Sequence, residues 1–264
     1  MNISDIIDSH RKYGTTKTDI VSKSGYLQVL DFVVVAPWWE YSIFEKFSDR
    51  IENVADKVYN IYGKDFQFTF IQIKNIGAPA LLESVLPLAL TKCKRIVFIG
   101  SVGALNNDIK IGDLVVPKYS INGVGACRFL NKDLTDDFEE KFFPSLDFNA
   151  KMLSVLKENY PQFKVHEVVN YSVDTIFAQF AHIEHFLDLK CKTIEMETSA
   201  LFKCGEVMNI ETAALLCVSD NTLNNKSLYS GRNDDERKIK KEMKNNHIPK
   251  IIIEISKLFN YNLR

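Results

Sequence analysis

The sequence predicts a single α/β domain with a mixed, mainly parallel central sheet surrounded by helices. Short β-branched apolar runs, typical of buried strands, alternate along the chain with segments whose apolar residues recur at helical spacing. This alternation favours parallel strands joined by helical crossovers, with helices on both faces of the sheet. The length of 264 residues suits one large domain of this class. We place a polar lead-in, with a short helix and an extended segment, at residues 1–28 and the domain at residues 29–264.

The individual elements follow from this alternation. Residues 29–36 are apolar, mostly β-branched and closed by Pro37, which predicts a buried strand. Residues 40–62 carry apolar residues at helical spacing and end at Gly63, which predicts a helix. Further strands are predicted at 66–73, 95–99, 111–117, 165–172 and 211–218, and further helices at 80–91, 149–160, 178–189, 197–208 and 235–258, the last interrupted near Pro249. Residues 129–144 and 219–234 are predicted to be loop-rich.

Composition and charge exclude several classes of function. The net charge is −1 and the chain has no long basic run, so nothing favours nucleic acid as a partner. No apolar run approaches the roughly 20 residues that a membrane helix needs. The first residues show no signal-peptide pattern. We therefore expect a cytoplasmic protein that binds neither nucleic acid nor membrane.

The cysteine and histidine patterns give no metal or disulfide framework. The five cysteines are scattered, and no two form a Cys-x-x-Cys pair, so we interpret them as buried small apolar residues. His182 and His185 could lie one helical turn apart, but no third ligand is visible nearby. We expect no metal site and no cofactor.

An acidic motif marks one predicted strand end. Residues 194–200 read IEMETSA, with Glu195 and Glu197 on either side of Met196 at a strand-to-helix junction. A carboxylate there can accept hydrogen bonds from both hydroxyls of a ribose, while the methionine packs on the apolar side of the sugar. The alternative is a simple helix start, where acidic residues are favoured by the helix dipole.

Two further motifs end predicted strands. In LLCVSDN, residues 215–221, Asp220 emerges from the core, where burial can raise its pKa and fit it for general acid catalysis. The alternative for Ser219 and Asp220 is a cap or turn. In FIGSVGAL, residues 98–105, Gly100 and Ser101 can bring amides and a hydroxyl to an anion, although a tight turn explains the glycines equally well.

These motifs occur in a family order. The succession GSVGAL, IGDLVVP, SVDTIF, IEMETSA and VSDN resembles the nucleoside phosphorylase and nucleosidase superfamily, which includes purine nucleoside phosphorylases, uridine phosphorylases and methylthioadenosine nucleosidases. The resemblance covers about residues 29–260. It implies the nucleoside phosphorylase fold, a nucleoside as the small-molecule substrate, cleavage of its N-glycosidic bond, and assembly as a homo-oligomer.

The resemblance also implies roles for individual residues. Glu197 would bind the ribose hydroxyls and Met196 would pack on the sugar, with Glu195 beside them. Ser101 and Gly100 would contact phosphate, and Asp220 would protonate the departing base. For the base, the resemblance points to Ile176, Phe177 and Ser219. Arg237 falls where hexameric purine phosphorylases place an arginine that assists the aspartate, and a surface ion pair is the alternative.

The sequence departs from the family at the phosphate ligands. Phe98 stands where phosphorylases of this family usually carry an arginine, and residues 36–40, APWWE, replace an expected Gly-Asp-Pro…Arg loop. Lys226 and Arg232 could supply the missing anion contacts, or bind a 5′-phosphate. Glu40 lies near the place of the water-activating glutamate of nucleosidases, and its alternative is a helix cap.

The sequence therefore favours phosphorolysis of a purine nucleoside, giving free base and ribose 1-phosphate with inorganic phosphate as co-substrate. Purine is favoured because of Asp220, which uridine phosphorylases generally do without. Hydrolysis, with Glu40 as general base and water as acceptor, is the close alternative. A non-catalytic nucleoside or nucleotide sensor is the third hypothesis.

Overall fold

A mixed β-sheet organises residues 1–259, the part of the chain that the computed structural model describes. Its strands, in chain order, are β1 Phe32–Pro37, β2 Arg50–Ala55, β3 Val58–Gly63, β4 Phe66–Ile73, β5 Arg95–Ala104, β6 Leu114–Gly123, β7 Lys141–Phe142, β8 Val165–Val173, β9 Thr193–Glu195 and β10 Glu211–Asn221. Strands β4, β1, β5 and β10 run parallel to their neighbours in that order. Strand β9 pairs with both β5 and β8, and β6 joins β8 to β10, so that these five strands close on themselves.

Helices cover both faces of this sheet. They are α1 Ile3–Lys12, α2 Lys17–Ser24, α3 Ala78–Val85, α4 Leu146–Asn159, α5 Ile183–Asp188, α6 Thr198–Met208, α7 Asp234–Glu242 and α8 Ile248–Lys257. One core cluster lies between the sheet and α3 and α6, and a second lies between the sheet and α4 and α8. This arrangement confirms the predicted single α/β domain with a mixed sheet. None of the helices in residues 1–259 has the length and apolar character needed to cross a membrane.

The parallel strands determine where a ligand can bind. The chain leaves β1 at Pro37, β5 at Ala104 and β10 at Asn221, and these three strands are neighbours in the sheet. In open α/β sheets the carboxyl ends of such strands form the ligand-binding edge. The short strand β9 meets β5 near the same edge, through the pairs of Gly103 with Ile194 and Ala104 with Thr193.

The predicted helix at residues 40–62 is wrong. Tyr41–Phe47 forms a 3₁₀ helix, and the rest of the segment forms the antiparallel hairpin of β2 and β3. Its β-branched and aromatic residues favour strands, and Lys57, with a φ of 63°, makes the reversal between them. Ile61, one of the apolar residues that fit the helical spacing, is fully buried, but on strand β3.

Other elements differ at their ends. The lead-in contains two helices, α1 and α2, each begun by a capping box, in place of one helix and an extended segment. Strands β5 and β10 extend beyond their predicted ends and carry the glycine and Ser-Asp motifs within the sheet. The closing helix is interrupted by a π turn at Met243–His247, just before Pro249. Residues 260–264 of the predicted domain lie outside the described residues.

Candidate active site

A cavity of about 300 Å³ opens at the carboxyl ends of β1, β5 and β10. Five of its lining residues have ionisable side chains, three acidic and two basic. The lining residues are Pro37, Trp38, Trp39, Ile76, Ser101, Gly103, Ile176, Gln179, Ile194, Glu195, Met196, Glu197, Ser219, Asp220, Leu228, Lys240 and Lys244. The structure thus brings the predicted Glu197, Met196, Asp220, Ser101, Ile176 and Ser219 together in one site.

Glu197 lies at the start of α6 and is buried. Its carboxyl group accepts hydrogen bonds from the backbone N–H of Gly77, at 2.6 Å, and of Met196, at 3.2 Å. Gly77 has a φ of 93°, a conformation that favours glycine, and this brings its amide to the carboxylate. Burial and the neighbouring Glu195 raise the pKa of Glu197 to about 8, and positive charge developing on a ligand beside it would favour its ionised form. With only two backbone donors, its oxygens retain acceptor capacity for ligand hydroxyls.

Glu195 lines the same cavity, but its carboxylate is saturated. One oxygen accepts hydrogen bonds from Ser172 Oγ at 2.5 Å, Asn170 Nδ2 at 2.7 Å and Thr198 Oγ1 at 2.9 Å, and the other from the backbone N–H groups of Glu197 and Thr198, both at 2.7 Å. Two of these donors are the first amides of α6, so the side chain fixes the helix start onto β8 and β9. This geometry does not support the predicted ribose-binding role, because no acceptor position is left for a ligand.

Asp220 lies near the end of β10, where the register with β5 shifts between Val218 and Asp220. Ser219 Oγ donates a 2.5 Å hydrogen bond to Asp220 Oδ1. Asp220 Oδ2 lies over Gly103, where a Cβ atom would come within 3.1 Å of it. Burial raises the pKa of Asp220 above its ordinary value, so the carboxyl holds its proton to a higher pH than an exposed aspartate does.

Of the two residues predicted from the glycine motif, only Ser101 lines the cavity. Ser101 faces the cavity, and its hydroxyl makes no hydrogen bond with any other residue in 1–259. Gly100 does not line the cavity. It is buried in β5, and a Cβ atom added to it would lie 2.8 Å from the ring of Phe98. Gly100 therefore makes room inside the sheet, and Gly103 provides the open position beside Asp220.

Of the residues predicted to bind the base, Ile176 and Ser219 line the cavity and Phe177 does not. Phe177 is 81% exposed. Gln179, which the sequence analysis missed, is 7% exposed and lines the cavity from the 3₁₀ helix Ala178–His182. Its side-chain amide makes no hydrogen bond with the described residues, so donor and acceptor both remain available. No feature of the sequence distinguishes this glutamine from others.

The predicted basic residues do not reach the cavity. Lys226 forms an ion pair with Glu236, and Arg232 donates to the carbonyl oxygens of Ser219, at 3.2 Å, and Leu228, at 2.8 Å. Neither residue lines the cavity, although the charge of Arg232 acts on Asp220, so their role as anion contacts stays a prediction.

Two further candidates lie outside the cavity. Arg237 is exposed and pairs with Asp234 at 3.2 Å, which is the surface alternative that the sequence left open. Glu40 is exposed and is not among the lining residues, although its charge acts on Lys244. It precedes the 3₁₀ helix Tyr41–Phe47 without a side-chain capping hydrogen bond.

Two lysines missed by the sequence analysis provide the cationic lining within residues 1–259. Lys240 lies on α7, and Lys244 lies one turn further, in the π turn. They were hidden in a lysine-rich helix, where a four-residue spacing alone does not show which face turns inward. The same residues contain no group of three or more His, Cys, Asp or Glu side chains placed to hold a metal ion.

The match to a family model identifies the fold family. Residues 69–248, more than half of the chain, match the model of the Phosphorylase superfamily. The chain belongs to this superfamily. The matched region contains the cavity residues except Pro37, Trp38 and Trp39, so the Phosphorylase superfamily match includes Glu197, Asp220, Lys240 and Lys244.

Individual relatives are distant. The DeoD-type purine nucleoside phosphorylase of Exiguobacterium sp. (strain ATCC BAA-1283 / AT1b) is 22% identical over 191 residues, covering 69% of this chain and 76% of that protein. The structure of uridine phosphorylase from Vibrio fischeri ES114, complexed with 6-hydroxy-1-naphthoic acid, has a TM-score of 0.71 at 22% identity, covering 88% of this chain and 92% of that one. The structure of purine nucleoside phosphorylase from Toxoplasma gondii, in complex with immucillin-H, has a TM-score of 0.71 at 17% identity, covering 94% and 95%. At these identities the structural likeness shows the fold.

Proposed function

We propose that the chain cleaves the N-glycosidic bond of a purine nucleoside by phosphorolysis. A phosphate oxygen forms a bond to the anomeric carbon of the ribose as the bond to the base nitrogen breaks. The bonding electron pair leaves with the base, which takes up a proton, and hydrogen phosphate loses one. The products are the free base and ribose 1-phosphate. No metal or cofactor takes part in this proposal.

The observation that carries the proposal is the meeting of Glu197 and Asp220 in one cavity. Cleavage of the bond builds positive charge on the ribose and negative charge on the base. A carboxylate on the sugar and an acid at the base stabilise these opposite charges. Glu197, with Met196 beside it, suits the first role, and Asp220, whose pKa is raised, suits the second. Membership in the Phosphorylase superfamily supports the same reaction.

The purine preference rests on the base side of the cavity. Asp220 can hold a proton for a ring nitrogen, and the Gln179 amide offers a donor and an acceptor to the edge of a base. The DeoD-type relative supports a purine, while the Vibrio fischeri structure is that of a uridine phosphorylase. Base release from purine nucleosides and from uridine distinguishes these two specificities.

Hydrolysis is the second candidate, because Phe98 occupies the place of an expected phosphate arginine. It would need a general base near the anomeric carbon. Glu40, the residue suggested by the sequence, is exposed and does not line the cavity. We therefore prefer phosphate as the acceptor.

We also propose that the protein works in the cytoplasm as a homo-oligomer. All five cysteines are free, which suits a reducing compartment. Trp38, Phe177 and Tyr229 expose large aromatic surfaces, and such surfaces are common at protein interfaces. Sedimentation analysis of the purified protein tests the assembly, and a monomer at all concentrations would contradict it.

The test of the proposed reaction is free-base release from inosine, adenosine, guanosine, uridine, methylthioadenosine and AMP, with and without phosphate. Release from a purine nucleoside that requires phosphate is expected. Release independent of phosphate would establish hydrolysis instead. Binding of nucleosides without any release would point to a sensor.

A further inference from the structure

Two lysines enter the cavity from the closing helical segment. Lys240 belongs to α7 and Lys244 to the π turn that follows it, so both lie on the same inward face. Lys241, between them in sequence, is exposed. The pair is therefore oriented toward the cavity by the helix, while Lys241 and Glu242 face solvent.

The two side chains lie near residues that belong to or follow the two strands beside β5. Lys244 Nζ lies 4.9 Å from the ring centre of Trp39, which follows β1. Lys240 is close enough to Asp220, on β10, for their charges to interact. Both β1 and β10 pair with β5, the strand that carries Ser101, and Ser101 and the two lysines line the same cavity.

Neither lysine has an anionic partner at bonding distance. Lys240 and Lys244 make no hydrogen bond or ion pair with the residues of 1–259, whereas Lys226 and Lys203 are both paired with carboxylates. Burial lowers the pKa of both cavity lysines. A partly buried cation without a partner is costly, and an anion bound between the two would offset that cost.

We propose that Lys240 and Lys244, together with the Ser101 hydroxyl, hold the attacking oxyanion, inorganic phosphate, in place of the missing arginines. This inference rests on the proposed phosphorolysis. Two ammonium groups and one hydroxyl can supply charge and donors to three phosphate oxygens, leaving the fourth to attack the anomeric carbon.

The test compares Lys240→Gln, Lys244→Gln and the matched control Lys241→Gln. We expect the phosphate KM to rise by about 10- to 100-fold in each cavity variant, because a charged hydrogen bond is lost. The nucleoside KM is expected to change little, and Lys241→Gln is expected to leave both values unchanged. Lys244→Arg, which keeps the charge, is expected to recover most of the phosphate affinity.

Three results would overturn the inference. The first is an unchanged phosphate KM in both cavity variants while the wild type requires phosphate, which would leave the proposed reaction intact. The second is a selective rise in KM for AMP over unphosphorylated nucleosides, which would assign the lysines to a 5′-phosphate. The third is base release by the wild type without phosphate, which would remove the proposed function itself. Should Lys240→Gln fail to fold by circular dichroism, Lys244→Gln and phosphate titration calorimetry decide the matter.

Discussion

Two polar clusters built from the same residue types differ in how fully their hydrogen bonds are satisfied. The saturated cluster consists of Glu195, Asn170, Ser172, Thr198, Ser199, Asn122, Asp137, Asn131 and Lys203. The open cluster consists of Glu197, Asp220, Gln179, Ser101, Lys240 and Lys244. In the saturated cluster Glu195 accepts five hydrogen bonds, and Lys203 pairs with Asp137 and donates to Asn131 at 2.6 Å.

The saturated cluster is continuous and holds the scaffold. Asn122 donates to Asp137, Ser199 Oγ donates to Asn122, and Ser172 Oγ links the amide of Ser199 to Glu195. The chain of bonds therefore connects the loop before β7 to the start of α6, directly behind Glu197.

The side chains of the open cluster line the cavity and can form further hydrogen bonds. Glu195 and Glu197 are two residues apart and are both buried. Glu195 already accepts five hydrogen bonds, whereas Glu197 accepts two and can accept more from a ligand. The comparison teaches that unsatisfied polar groups, more than residue type or burial, mark the functional side of this molecule. The predictions below test that division.

The largest effect is expected in the open cluster, from Asp220→Asn. The variant keeps the shape of the side chain but cannot supply the proton that the base needs. We expect turnover to fall by about 10²–10⁴-fold, the usual contribution of a general acid. Steady-state base release measures this, with the exposed Asp133→Asn as the control. Turnover within a few-fold of the wild type would show that Asp220 is not the acid.

The largest effect in the saturated cluster is expected from Lys203→Met, which leaves the buried Asp137 carboxylate without its partner. We expect the free energy of unfolding to fall by about 3–5 kcal/mol. Lys241→Met, on an exposed position, is expected to change it by less than about 0.5 kcal/mol. Urea unfolding of both variants gives the comparison, and equal stabilities would contradict the scaffold role of the pair.

The two neighbouring glutamates provide the sharpest contrast. Glu195→Gln turns an amide toward donors that then lack an acceptor, so we expect a loss of about 1–3 kcal/mol in unfolding free energy. Glu197→Gln has only two backbone donors to satisfy, and we expect a smaller loss of stability but about a tenfold rise in nucleoside KM. Unfolding curves and kinetics on both variants are needed. A reversed pattern would contradict the division between the clusters.

The smallest effect is a pH dependence of stability that comes from Asp220. Because burial raises its pKa above 3.8, the folded state retains this proton to a higher pH than the unfolded chain does. The stabilisation is fully present below that ordinary value and is lost as the pH rises through the folded-state pKa. Asp220→Asn removes this titration, so its stability relative to the wild type should increase with pH. Urea unfolding from about pH 4 upward tests this, and a constant difference would contradict it.

Much of the site was predictable because strand ends carry chemistry. Glu197, Met196, Asp220 and Ser101 each follow an apolar run. Asp220 lies near the end of β10, which runs parallel to β5, and such ends meet at one edge of a sheet, whereas Glu197 and Met196 follow β9, which pairs antiparallel with β5 near the same edge. The sheet itself followed from the same runs. The hairpin of β2 and β3 was missed because its apolar residues also fit a helical period.

The remaining site residues depend on tertiary packing. Glu195 looked equivalent to Glu197 until its five donors, drawn from β8 and α6, were seen together. Lys240 and Lys244 are distinguished from Lys241 only by the face of the helix that packs on the sheet. Lys226 and Arg232 seemed available because a sequence does not show that Glu236 and two carbonyl groups engage them.

The most direct test of the account is the reverse reaction, the synthesis of a nucleoside from free purine base and ribose 1-phosphate. A phosphorylase must catalyse it, because the forward and reverse reactions share one transition state. We expect formation of the nucleoside with release of an equal amount of inorganic phosphate, and we expect Asp220→Asn to abolish both. Forward release of base without any synthesis in reverse would contradict phosphorolysis and would make water the acceptor.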